Sequence, residues 1–125
     1  MLGRTVAGIT SSSGSSLSQL SSPTSIYVDP NGIQYILDWT NCRVMRWVEG
    51  EPMGNVVAGG NGCGGSLTQI HYSYGMFVDN QSNIYISDRQ YHRVVQWSPT
   101  NLTSGVLVYS SLHVENMSIF SFFVL

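Results

Sequence analysis

The chain has 125 residues, a hydrophobic fraction of 42%, only 10% charged residues and a formal net charge of −2. That length suggests one domain with room for a sizeable core. All five cations are arginines, too few to neutralise a phosphate backbone, which argues against a nucleic-acid partner.

Low charge combined with abundant Gly, Ser, Val, Ile and Tyr favours a turn-rich β protein. No charged stretch followed by an apolar one opens the chain, so no signal peptide is evident. The apolar run from Ile119 to Leu125 is far shorter than the about 20 residues a bilayer span needs. These features leave the compartment open. Asn-x-Ser/Thr triplets occur at Asn80, Asn101 and Asn116, a frequency that chance explains in so Ser/Thr-rich a chain.

Taken in chain order, the first unit reads as four short strands. Ser25–Asp29 is followed by the turn signal Pro30-Asn31-Gly32. Gln34–Asp38 is the second strand, Trp39–Cys42 a loop, and Arg43–Glu49 the third strand. Gly50–Gly54 turns the chain into Asn55–Ala58, which ends at Gly59-Gly60. A Gly-rich connector, Gly59–Tyr74, leads to the second unit. There the predicted strands are Met76–Asp79, Ile84–Asp88, Arg93–Trp97 and Val106–Val108, with Ser98–Gly105 read as a turn. No helical periodicity of any length is present.

The second unit is a copy of the first at a spacing of 50 residues. Ser25-Ile26-Tyr27-Val28-Asp29 returns as Gly75-Met76-Phe77-Val78-Asp79, and Arg43-Val44-Met45-Arg46-Trp47 returns as Arg93-Val94-Val95-Gln96-Trp97. Eight of the 23 positions between residues 25 and 47 are identical to their counterparts, with no gap. Val6-Ala7-Gly8 likewise matches Val57-Ala58-Gly59, so the chain is expected to begin with the last strand of a preceding unit. A repeat of this length signals a solenoid, propeller or array. A lone four-stranded meander buries too little surface to be stable, and stacking such sheets face to face solves that. The expected fold is therefore all-β: a partial β-propeller of four-stranded antiparallel blades.

Two stretches sharpen this. Ile84-Tyr85-Ile86-Ser87-Asp88-Arg89-Gln90-Tyr91-His92-Arg93-Val94-Val95-Gln96-Trp97 and Tyr35-Ile36-Leu37-Asp38-Trp39-Thr40-Asn41-Cys42-Arg43-Val44 resemble the NHL repeat. The connector Val57-Ala58-Gly59-Gly60-Asn61-Gly62, with Leu67-Thr68-Gln69-Ile70 after it, is similar to those of NHL proteins. The resemblance covers residues 3–109. The copies depart from it at Cys42, which replaces the histidine, at Tyr91, which replaces the asparagine, and at Gln34, where an apolar residue is expected. The resemblance implies a six-bladed propeller, of which this chain would hold two blades and one strand of a third. The expected partition is a preceding strand and connector over 1–22, a blade over 23–60, a connector over 61–72, a blade over 73–109 and a non-repeat apolar tail over 110–125. Such a fragment is expected to need remaining blades or self-association to close the ring.

Asp38/Arg43 and Asp88/Arg93 are the most chemically suggestive pairs. Each Asp ends one strand and each Arg begins the next. Because both pairs recur with the repeat, a structural brace is favoured over catalysis, which needs a site once. The same reasoning makes Asp29 and Asp79 turn-initiating residues. His71, His92 and His113 share no metal spacing, no nucleophile or phosphate-loop motif is present, and neither a cofactor nor a metal is expected. Cys42 and Cys63 form no CxxC or Cys/His pattern. One pair without geometry does not establish a disulfide, and two free thiols are the default expectation.

Loops that vary between copies are the better place for specificity. In a propeller, loops between second and third strands share a face with the connectors. That face would carry Trp39, Thr40 and Asn41, then Arg89, Gln90 and Tyr91, then His71 and Tyr72. Exposed Trp, Tyr and Arg are enriched at recognition surfaces, although packing of Trp39 on the neighbouring unit remains an open alternative. The functional expectation is a non-catalytic scaffold that binds a protein or peptide. A fragment of a propeller enzyme, similar to peptidyl-amidating lyases or hydrolases, and an RNA-binding NHL domain are the alternatives.

Overall fold

A computed structural model describes residues 1–110, except for the side chains of the last two. The apolar tail beyond Ser110, His113 and the Asn116 triplet lie outside the described residues. The fold is all-β, with eight strands in two four-stranded antiparallel sheets. The first sheet contains β1 (Pro23–Val28), β2 (Gln34–Asp38), β3 (Arg43–Trp47) and β4 (Asn55–Gly59) in sequential order. The second contains β5 (Gly75–Val78), β6 (Ile84–Asp88), β7 (Arg93–Ser98) and β8 (Asn101–Ser110), also in order. Among the described residues no helix is long and apolar enough to cross a membrane.

The repeat is reproduced at the level of register. Asp38 pairs with Arg43 and Gln34 with Trp47; fifty positions on, Asp88 pairs with Arg93 and Ile84 with Trp97. The irregularity between Val44 and Met45 recurs between Val94 and Val95. Even the first turns match. The Asp29 carboxylate accepts the backbone N–H groups of Asn31 and Ile33, each at 2.9 Å. Asp79 accepts those of Gln81 and Asn83, also at 2.9 Å. Gly32 takes the left-handed position of the first turn (φ 81) and Ser82 that of the second (φ 63), a conformation that glycine adopts without steric cost.

Alternation along the strands gives the first sheet two apolar faces. Ile36, Met45 and Trp47 form a cluster covered by Ala7, Leu20 and Val56. Tyr35, Leu37, Val44 and Ala58 point the other way and join Met76, Val78, Ile84, Ile86, Val95 and Trp97 in the larger core between the sheets. The sheets meet with β1 against β5 and β4 against β8. Burying each such large side chain contributes about 1.5–3 kcal/mol, so the sheet–sheet contact dominates the cohesion of the fold.

Three local differences from the sequence reading have physical causes. Val6-Ala7-Gly8 forms no strand, and residues 1–22 contribute only isolated bridges, Ile9 to Ser12 and Ser13 to Leu20. A strand needs a paired neighbour, and this segment instead lays Ala7 and Leu20 on the outer face of the first sheet. The last strand begins at Asn101 rather than Val106, because Ser98 pairs directly with Asn101 across Pro99-Thr100. That tighter turn has a consequence for the paired tryptophans. Trp47 donates its indole N–H to the Glu51 carbonyl at 2.9 Å, whereas the buried indole nitrogen of Trp97 has no partner. Gln34 is buried with an unpartnered side-chain oxygen, a polar cost at the position where the repeat calls for an apolar residue.

Candidate functional site: an aromatic row across the two sheets

The residues singled out by the repeat lie at the strand ends where connectors cross. Arg43 donates from Nε to Asp38 at 2.8 Å. Its other nitrogens reach the carbonyls of Ser15 (2.8 Å), Ser16 (2.9 Å) and Gln19 (2.8 Å). Arg93 repeats this with Asp88 at 3.1 Å and the carbonyls of Gly65 (2.6 Å) and Ser66 (3.3 Å). Each guanidinium therefore fastens the connector leading into its own sheet, not merely the loop beside it. Both ion pairs are almost completely buried. Asp38 is further held by the Ser21 N–H (2.7 Å) and the Asn41 amide (2.8 Å). With its acceptors so engaged, each pair is a charge-assisted clamp.

Asn41 also donates to the Gly14 carbonyl at 2.9 Å, so it binds the incoming connector rather than facing outward as a free recognition group. Cys42, with φ 48, occupies the left-handed position of the loop, as His92 does with φ 51. The free-thiol expectation is corrected here: Cys42 and Cys63 are joined in a disulfide with a Cα–Cα separation of 5.4 Å. The Gly-rich connector brings Cys63 back over the β2–β3 loop, and Gly60 N–H donates to the Cys42 carbonyl at 3.0 Å beside it. Sequence spacing gave no signal for this, since 21 residues of separation is compatible with pairing or with two thiols.

Beyond the disulfide, the connector turns into a continuous row of rings. Trp39 lies 4.6 Å from Tyr72 and 5.9 Å from Tyr74 between ring centroids. His71 lies 4.7 Å from Tyr72 and packs edge-on against Tyr91 at 5.5 Å. The Arg93 guanidinium sits 5.4 Å from the Tyr91 ring centre, within cation–π range. The row thus runs Tyr74, Trp39, Tyr72, His71, Tyr91 and joins loops from both sheets. Tyr72, Tyr74 and Tyr91 are exposed, and Trp39 and His71 are half-buried.

Four of the eight face residues named from sequence, Trp39, His71, Tyr72 and Tyr91, are thereby brought together. Thr40, Arg89 and Gln90 are exposed on the same two loops but do not join the row. Tyr74 belongs to the row and was not singled out. It sits directly before β5, where a connector residue gives no cue that it folds back onto a ring 35 positions earlier.

The row is held in place by close approach. A Cβ on Gly65 would stand 2.5 Å from the Tyr91 ring, so Tyr91 packs directly on bare backbone. Electrostatically, this end of the molecule is unlike the other. Among the described residues its carboxylates, Asp38 and Asp88, are buried and paired. Asp29, Asp79, Glu49 and Glu51 lie in the turns at the opposite strand ends, where Glu49 pairs with Arg4. Arg89 forms no ion pair or hydrogen bond among the described residues and is exposed. The aromatic end thus offers π-surface and a free cation with no competing acid. Among the described residues no three His, Cys, Asp or Glu side chains are grouped to hold a metal.

No family model matches the chain, and no curated protein matches it.

Proposed function

We propose that the chain is part of an NHL-type β-propeller acting as a non-catalytic scaffold, whose aromatic end binds a protein or peptide partner. The observation carrying this reading is the convergence of Trp39, Tyr72, Tyr74, His71 and Tyr91 into one row spanning two sheets. Rings already packed on one another lose little freedom when a partner covers them. Arg89, exposed on the same β6–β7 loop as Tyr91, supplies a charged donor for orientation.

The propeller assignment is supported by an asymmetry between equivalent positions. Met76 and Val78 are buried against the first sheet, whereas their counterparts Ile26 and Val28 are 57% and 54% exposed. A further sheet stacked on β1 would cover them as the first sheet covers β5. This is the reason for expecting remaining blades or self-association.

The test is selection of displayed peptides on the full chain, followed by affinity measurement on variants. Arg89→Ala and Tyr72→Ala should each weaken the selected peptides by about five- to thirtyfold, the range for interface anchors. Arg46→Ala, at the opposite strand end, should leave affinity unchanged. Peptides bound equally well by wild type and by the Tyr72→Ala/Arg89→Ala double variant would remove the aromatic end from the reading. Salt-sensitive binding of single-stranded RNA in preference to any peptide would replace it with a nucleic-acid function.

A further inference from the structure

Two Asn-x-Ser/Thr triplets lie among the described residues, Asn80-Gln81-Ser82 and Asn101-Leu102-Thr103, and their local geometries differ. The Asn101 side-chain oxygen accepts both the Thr103 backbone N–H, at 3.2 Å, and the Thr103 hydroxyl, at 2.8 Å. This is an Asx turn closed within the triplet itself. Asn101, Leu102 and Thr103 are all exposed. Donation to the amide oxygen draws electron density from the amide nitrogen, which has no hydrogen-bond partner of its own among the described residues. At the other triplet Ser82 is held in a left-handed conformation inside the β5–β6 turn (φ 63), and no such bond joins it to Asn80.

Two independent observations bear on whether such a site is used. The Cys42–Cys63 disulfide belongs to oxidising surroundings such as the secretory lumen, where asparagine glycosylation also takes place. In addition, Asn101 follows the β7–β8 turn, at the opposite strand end from the β6–β7 loop that carries Tyr91. A bulky glycan there leaves the aromatic row uncovered.

We propose that Asn101 is an acceptor for N-linked glycosylation and that the chain matures in a secretory compartment. The donor is a polyprenyl-diphosphate-linked oligosaccharide. A bond forms between Asn101 Nδ2 and the sugar C1. The C1–O bond to the diphosphate breaks, the diphosphate leaves with the electron pair, and one Nδ2 proton passes to a base of the transferase.

The experiment directs the full chain into the secretory lumen of a eukaryotic host and maps each asparagine by mass spectrometry, before and after enzymatic deglycosylation. The expected result is glycan at Asn101 in chains that carry the Cys42–Cys63 bond, with conversion of Asn101 to aspartate on enzymatic release. Thr103→Ser should retain the modification, and Thr103→Ala should abolish it at Asn101 while the disulfide still forms. Recovered chain with Asn101 unmodified, or modified at Asn80 or Asn116 alone, overturns the assignment. So does modification that persists at Asn101 in the Thr103→Ala variant. Site mapping on the wild type decides the matter without relying on any variant to fold.

Discussion

Arg43 and Arg93 perform the same operation fifty positions apart. Each donates through Nε to the aspartate five residues before it, and through its terminal nitrogens to carbonyls 28 and 27 residues earlier in the chain. A short hairpin contact is thereby converted into a long-range tie that sets where each connector crosses its sheet. The two ties differ in quality. Arg43 makes four bonds of 2.8–2.9 Å, whereas those of Arg93 spread from 2.6 to 3.3 Å.

The first prediction follows from the burial of these pairs. Arg43→Met leaves Asp38 charged and buried with only the Ser21 and Asn41 donors, and should cost about 3–5 kcal/mol. Arg93→Met should cost less, because its ion pair is longer (3.1 Å against 2.8 Å) and less completely buried, even though Asp88 then keeps only the Tyr91 N–H at 3.1 Å. The double change Arg43→Met/Asp38→Asn should recover part of the loss. Urea midpoints at unchanged slope measure all three. Equal costs for Arg43→Met and Arg93→Met would refute the ranking.

The disulfide provides a second prediction. It closes a loop of 21 residues' separation, for which the chain-entropy account gives about 3 kcal/mol. Cys63→Ser and reduction of the wild type should therefore lower stability by similar amounts. Cys42→Ser should cost more, because Cys42 is fully buried and a hydroxyl there is desolvated with only the Trp39 carbonyl, 3.7 Å from the present sulfur, to bond. Thermal unfolding with and without reductant makes the comparison. No change on reduction would show that the connector is fixed instead by the Gly60 N–H to Cys42 carbonyl bond and by the Gln69 side-chain amide, which donates to the Asn61 carbonyl at 3.1 Å.

What the sequence revealed and what it hid divide along the range of the interactions. Strand positions, turn positions and cross-strand partners such as Asp88 and Arg93 were legible, because each depends on residues a few positions apart and on a repeat that copies them. The start of β8 was misread because Ser98, Pro99, Thr100 and Asn101 are all turn formers, and only pairing with β7 decides how few of them the turn uses. The Cys42–Cys63 bond and the contact of Trp39 with Tyr74 were hidden, since both depend on how the connector folds back. No local pattern encodes that path. Asn41 misled for the same reason: a variable loop residue proved to be occupied by the Gly14 carbonyl.

A third prediction concerns Gly65. Adding a Cβ there brings it to 2.5 Å from the Tyr91 ring, and a ring cannot shift without breaking its edge contact with His71. Gly65→Ala should destabilise by about 1–3 kcal/mol, as overpacking does. The cost should largely vanish in the Tyr91→Ala background, giving strong non-additivity between the two sites. Additive effects would mean that the penalty comes from the backbone alone.

The last prediction is a pH dependence at the β5–β6 turn, where Asn83 stands at the position of Ile33 and its side chain bonds Asp79. Burial alone would raise the Asp79 carboxyl. The Asn83 side chain, the Asn83 and Gln81 backbone N–H groups and the Tyr85 hydroxyl outweigh it and hold the group below its ordinary value of 3.8. A carboxyl lowered in the folded state binds protons more readily when unfolded. Its contribution is therefore present above pH 3.8 and is lost as pH falls through the lower folded value. Tyr85 behaves in the opposite sense. Burial, the nearby Asp79 charge and its hydrogen bond to Asp79 raise the phenol above 10.0, against the opposing bond from Gln96. That contribution is present below pH 10.0 and is lost as pH rises through the raised value. Asp79→Asn should therefore flatten the acid limb of the stability profile and also relax the alkaline one, since the charge that raises Tyr85 is gone. Tyr85→Phe should flatten the alkaline limb while leaving most of the acid limb, because the Asn83 and Gln81 bonds to Asp79 remain. Urea midpoints collected below pH 5 and above pH 9 test this. An Asp79→Asn variant with an unchanged alkaline limb would show that the two groups do not act on each other.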